Sequence, residues 1–158
     1  MRVLSIDPGL GITGFSIIES KMNQLQLCAY GTVKPNSKDN IPRRLNYLFG
    51  EINKVLDQFL PDIVAIEDSF YSKNVKSAMT LGQARAAIIL AAEQASIPIH
   101  EFAPRKVKMS VCGNGAASKE QVSYMVTKIL NLSEPPKPMD VSDAMAVGIC
   151  YINQAKFL

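Results

Sequence analysis

Four acidic residues stand out by where they fall in the chain. Asp7 closes the run Val3-Leu4-Ser5-Ile6 just before Pro8-Gly9, and Glu67 closes the apolar run Ile63-Val64-Ala65-Ile66. An acid beside a buried strand is costly unless something pairs with it, and a divalent cation would do so. Sites in open α/β sheets gather at the carboxyl ends of strands, where both acids would stand. Asp140 and Asp143 are three apart at the start of a helical pattern, so they would project from one face. Carboxylate oxygens suit Mg²⁺, a hard ion that keeps several waters, one of which can become a nucleophile. Two such ions about 3.5–4 Å apart can stabilise both the attacking and the leaving oxygen of a phosphodiester. Plainer readings exist. Asp140 and Asp143 could be a helix cap and its first-turn partner, welcomed by the helix dipole. Asp7 could be an ordinary turn residue. Glu67 is the hardest to dismiss in this way.

Basic residues supply the complementary half of such chemistry. Between Arg105 and Lys128 stand Arg105, Lys106, Lys108, Lys119 and Lys128 against the single acid Glu120. A net charge of only +3, from 17 Lys and Arg and 14 Asp and Glu, thus hides a local positive segment suited to phosphate contacts. The alternative is a solvated helix face. After Glu67, Phe70 and Tyr71 sit close to Lys73 and Lys76, a mixture that could stack on bases or wedge between them. Phe70 could equally be a hydrophobic staple for the next helix.

Other features exclude other chemistries. Gly9-x-Gly11-x-x-Gly14 matches a dinucleotide fingerprint literally, but that mechanism needs a helix after the glycines. The chain continues Phe15-Ser16-Ile17-Ile18-Glu19, which reads as strand, so the glycines mark a strand-to-strand turn. Cys28, Cys112 and Cys150 lie far apart, against both a disulfide framework and a cysteine zinc site. His100, the single histidine, lies in an apolar run and reads as structural. The N-terminus shows no signal-peptide pattern and Ala86 to Ala92 is far short of a membrane span, so a cytoplasmic protein with no membrane partner is expected.

The elements that must position these groups follow from periodicity. Residues 2–7 read as a buried strand, and 14–20 and 25–33 alternate as a hairpin upon it. Pro42 opens a helix through Leu45, Leu48, Ile52, Val55, Leu56 and Phe59 that stops at Pro61. Residues 62–67 form a strand that follows a helix and so pairs parallel with the first. An Ala-rich helix from about Val75 to Ala95 packs closely, either on the sheet or on a second subunit. Residues 97–99 read as a further strand, then helices near 104–111 and 119–131 precede a break at Pro135, Pro136 and Pro138. A last helix runs from about Val141 to Ala155. No repeat or linker divides the 158 residues, so residues 1–158 read as one α/β domain with a mixed sheet.

Several segments together resemble a known family. Ile6-Asp7-Pro8-Gly9 with Thr13-Gly14, Ala65-Ile66-Glu67 followed by Phe70, Leu81-Gly82-Gln83-Ala84-Arg85, Gly113-Asn114-Gly115 with Lys119, and Asp140-x-x-Asp143-Ala144 resemble the RuvC Holliday-junction resolvases. The strand-end Asp is shared by the wider ribonuclease-H-like and actin-like superfamily, whereas the Leu-Gly-Gln-Ala-Arg and Gly-Asn-Gly segments are more specific. Segments 20–24 and 107–112 follow the pattern more loosely. The resemblance implies a ribonuclease-H-like fold, a mixed five-stranded sheet flanked by helices. It further implies a homodimeric endonuclease that nicks two opposed strands of a four-way DNA junction in recombination and repair. Two Mg²⁺ ions per site are implied, with Mn²⁺ as a substitute, and a branch-migration helicase complex as partner. The four metal-binding and catalytic acids carry over onto Asp7, Glu67, Asp140 and Asp143. Some members have His at one acidic position of the last helix, where this chain has Asp at both. Phe70 matches an aromatic wedge at the junction centre, and Lys108 and Lys119 match basic residues near the scissile phosphate. With Lys73, Lys76 and Arg105 from the basic pattern, these make the expected DNA-contacting set. Two rivals remain: an actin-like ATPase, which normally needs a second such domain, and a catalytically idle junction-binding scaffold.

Overall fold

The computed structural model describes residues 1–22, 24–69 and 74–155. Three strands open the chain: β1 (Arg2–Asp7), β2 (Thr13–Lys21) and β3 (Gln24–Val33). Helix α1 (Ile41–Phe59), strand β4 (Ile63–Glu67), helix α2 (Val75–Gln94) and strand β5 (Ile99–Phe102) follow. Helices α3 (Pro104–Cys112), α4 (Lys119–Ile129) and α5 (Met139–Ala155) complete it. The strands make one sheet in the order β3-β2-β1-β4-β5. β1–β2 and β2–β3 are antiparallel, whereas β1–β4 and β4–β5 are parallel, so the sheet is mixed as expected.

Local chemistry sets the helix ends. The Asn40 side chain accepts from Arg43 N–H at 3.0 Å, Pro42 occupies the first turn of α1, and Leu60 ends it in the left-handed region at φ 46° before Pro61. At α4, Ser118 and Gln121 exchange reciprocal capping bonds, which fixes Lys119 as the first helical residue. The glycine segment 9–14 is indeed a strand-to-strand turn: Asp7 pairs with Gly14 across the β1–β2 ladder. Thr13 Oγ1 accepts from Gly9 N–H at 3.1 Å and donates to Gly9 O at 2.7 Å, locking the turn.

Side-chain alternation divides the core between the two faces of the sheet. Leu4, Ile6, Ile17, Val64 and Ile66 pack with α1 and α2 in one cluster. Val3, Ile18 and Ala65 pack with α3, α4 and α5 in the other. Because Val3 and Ala65 face α5, period two puts Ser5, Asp7 and Glu67 on that same face. Helix α5 lies across it, buried almost all round through Ala144, Met145, Ala146, Val147, Ile149, Cys150 and Ile152. Close approach is possible because Gly148 lies against the sheet, where a Cβ would stand 2.6 Å from Ser5 Oγ. The Ser5 and Ser16 hydroxyls beneath, both fully buried, satisfy one another at 2.6 Å.

Several boundaries shift from the sequence reading, and two of the shifts have consequences. The last strand spans Ile99–Phe102 rather than 97–99, since Pro98 has no N–H to give and contributes only its carbonyl, which accepts from Val64 N–H at 2.9 Å. Helix α5 starts at Met139, so Asp140 lies inside the first turn and is not its N-cap. Among the described residues no helix is long and apolar enough to cross a membrane.

Candidate active site

The parallel pairing of β1 with β4 brings Asp7 and Glu67 to the same end of the sheet, one at the carboxyl end of each of two interior strands. The first turn of α5 meets them from above. Its position is set by Gly14, the ladder partner of Asp7, where a Cβ would fall 2.1 Å from Asp140 O. Asp140 and Asp143 therefore arrive beside the strand ends on the first and second turns of α5. Asp7, Glu67 and Asp143 line a cleft of about 280 Å³ together with Ser69, Lys108 and Lys119.

Electrostatics report how tightly the acids are gathered. Burial, then the nearby charges of Glu67, Asp143 and Asp140, push Asp7 up to about 8 from an ordinary 3.8. Glu67 is also raised, chiefly by burial, with Asp143 adding to it and a hydrogen bond from Ser69 opposing it. Ser69 Oγ donates to Glu67 Oε1 at 2.8 Å. Lys119 Nζ contacts Asp143 Oδ2 at 3.0 Å and is raised above its usual range by that bond, by Asp143's charge and by Asp7 and Asp140 beyond. Among the described residues no three of these donors already stand as a closed ligand set. The acids are gathered but held apart, with Lys119 offsetting part of their charge. Asp7 and Glu67, whose ionisation is opposed by burial and by neighbouring acids, stand with Asp140 and Asp143 as oxygen donors that fit a hard divalent cation, which would offset that repulsion.

The basic residues separate into groups that their linear order hides. Lys108 and Lys119 reach the cleft. Arg105 is exposed on α3, with its stem against Gly115. Lys106 lies 5.5 Å over the Phe102 ring and Lys128 5.5 Å over the Tyr124 ring. Lys76 is exposed on the first turn of α2 and does not line the cleft. Phe70 and Lys73 lie outside the described residues. His100 packs against Tyr151 with ring centroids 5.0 Å apart and planes tilted by 52°, and it is not part of the cleft. Ser69 was missed by sequence reasoning; its only signal is a hydroxyl two residues beyond the strand-end acid. The contact of Gly14 with Asp140 was missed too, because Gly14 had read simply as a turn residue.

Known proteins share this architecture. The sequence profile described as "Crossover junction endodeoxyribonuclease RuvC" matches residues 3–151. A curated crossover junction endodeoxyribonuclease RuvC from Finegoldia magna is 43% identical over 157 residues, covering 99% of this chain and 96% of the relative. The solved structure of Thermus thermophilus RuvC superposes with a TM-score of 0.91 at 30% identity, covering 99% of this chain and 96% of that one. The same protein in complex with Holliday junction substrate also gives 0.91, at 28% identity over the same shares. The mixed sheet with its flanking helices is thus the ribonuclease-H-like fold, and the chain belongs to the RuvC family of crossover junction endodeoxyribonucleases.

Proposed function

We propose that this protein is a divalent-metal-dependent endonuclease that resolves four-way DNA junctions, with Asp7, Glu67, Asp140 and Asp143 holding two Mg²⁺ ions. The observation that carries the reading is the convergence of Asp7, Glu67 and Asp143 from β1, β4 and α5 on one cleft bordered by Lys108 and Lys119, with Asp140 near enough for its charge to act on Asp7. When bound, the ions supply an activated water and offset the charge developing on the attacking and leaving oxygens. Mn²⁺, a similarly hard ion, is expected to substitute. Lys108 and Lys119 orient the scissile phosphate, while Arg105, Lys73 and Lys76 contact neighbouring phosphates. Phe70 inserts at the junction centre. A homodimer supplies two such sites to two opposed strands, and a branch-migration helicase complex is the expected partner.

An idle junction-binding scaffold fits less well, because a pure binder gains nothing from four carboxylates that repel the DNA backbone. The deciding experiment measures binding and cleavage of a synthetic four-way junction by Asp7→Asn and Glu67→Gln. Both variants should lose cleavage with Mg²⁺ and keep junction affinity, which comes from Lys and Arg. Full nicking by either variant would overturn the assignment of the acids.

A further inference from the structure

Strand β4 ends at Glu67, yet the chain just beyond it is held firmly. Asp68 N–H donates to Phe102 O at 2.9 Å, tying the backbone to β5. The Asp68 carboxylate lies 2.9 Å from Arg85 Nη2 on α2, and that guanidinium also pairs with Glu101 on β5. The main chain therefore enters Ser69 from a residue anchored on two sides. From there Ser69 Oγ donates to Glu67 Oε1 at 2.8 Å, and both side chains border the cleft.

We infer that Ser69 is a positioning residue for Glu67, pinning Oε1 so that Oε2 is left facing the cleft in a single orientation. A Glu side chain has three torsions to order, and a free carboxylate presents two equivalent oxygens. One hydroxyl donor on a fixed backbone removes much of that freedom before any ligand arrives. Such partners of ligating carboxylates typically change metal affinity or activity by about 10–100-fold when removed. The inference rests on the reading of Glu67 as a ligand-bearing acid, and its test keeps the two apart.

The experiment compares Ser69→Thr, which keeps the hydroxyl, with Ser69→Val, which has nearly the same shape without it. Glu67→Gln serves as the control. Two readouts follow a Mg²⁺ titration of the full-length protein: the thermal unfolding midpoint without DNA, and the cleavage rate on a four-way junction. Ser69→Val should need about tenfold more Mg²⁺ in both titrations. Ser69→Thr should track the wild type, and junction affinity in EDTA should be equal for the wild type and both Ser69 variants. Wild-type Mg²⁺ curves for Ser69→Val, beside an inactive Glu67→Gln, would overturn the positioning role and leave the assignment of Glu67 intact. Equal losses in Ser69→Thr and Ser69→Val would overturn it too, since the hydroxyl would then be irrelevant. Wild-type curves for Glu67→Gln would instead overturn the reading of Glu67 itself.

Discussion

Lys119 Nζ lies 3.0 Å from Asp143 Oδ2, joining the first residue of α4 to the second turn of α5 across 24 residues of sequence. The lysine side chain is 66% exposed, and pairs so placed contribute about 0–1 kcal/mol to stability. Its value to the fold is therefore small, and its value to the reaction should be large. Lys119→Met is expected to shift the melting temperature by no more than about 3 °C. Junction cleavage should fall by about 10²-fold, the usual loss when one preorganised charge donor is removed. Thermal unfolding and single-turnover cleavage on the same preparation check this. A loss of activity that merely follows a loss of fold would assign Lys119 to structure.

Asp7 makes a prediction about pH. Its folded value of about 8 lies above the ordinary 3.8, so between those values the folded state holds a proton that the unfolded state has lost. Stability then falls as pH rises through that window and levels off above it. Asp7→Asn removes the titration, so its melting temperature should exceed that of the wild type in EDTA, by little at pH 4 and by about 5 °C or more at pH 8. Mg²⁺ should close the gap at pH 8 by stabilising the wild type, because binding to the folded state raises its stability by mass action. A difference that does not change with pH would contradict the electrostatic cause.

Much of this arrangement was legible in the residues. The buried-strand run that ends at Asp7 before Pro8-Gly9 and the apolar run that ends at Glu67 mark two strands with an acid at each carboxyl end. What escaped was set by tertiary contact. Pro135, Pro136 and Pro138 obscured the start of α5, which reaches back to Met139 and takes Asp140 into the first turn. A count of charges between Arg105 and Lys128 could not tell that Lys106 and Lys128 lie over aromatic rings while Lys108 and Lys119 reach the cleft. The hydroxyl of Ser69 carries no periodic signal, and only the turn after β4 aims it at Glu67.

Helix α2 supplies the test of the proposed dimer. Its inner side, with Ala84, Ile88, Ala91 and Ala92, is buried in the core cluster that α1 also joins. Its outer side carries Val75, Met79 and Leu90, 78%, 63% and 53% exposed, at helical spacing. Two coordinated cuts in a roughly two-fold junction call for an isologous contact, and this stripe is the proposed surface. Leu90→Glu should leave the melting temperature nearly unchanged and weaken self-association at least tenfold. On a supercoiled plasmid carrying a cruciform, product should shift from linear to nicked circles, since the two strands are no longer cut in one encounter. Unchanged sedimentation and paired cutting would move the interface elsewhere.

Gly14 and Gly148 both let α5 approach the sheet, and comparing them separates site geometry from packing. A Cβ at Gly14 would stand 2.1 Å from Asp140 O and 2.9 Å from Val141 N, backbone atoms that can yield only if the first turn of α5 moves. A Cβ at Gly148, midway along the same helix, would meet Ser5 Oγ at 2.6 Å and the end of Ile18 at 3.0 Å, side chains of β1 and β2. Each alanine overfills a close-packed contact, for which the cost is about 1–3 kcal/mol. The effect on chemistry should differ sharply. Gly14→Ala displaces Asp140 from Asp7, its neighbour across the ladder, and a misplacement of about 1 Å can cost about 10²-fold in rate. Gly148→Ala should lower the melting temperature by a similar amount while keeping most of the cleavage at a temperature where both variants are folded. Cleavage and unfolding measured together at 25 °C decide the matter. Equal rates in the two variants would mean that the first turn of α5 adjusts freely, and that Gly14 serves the turn alone.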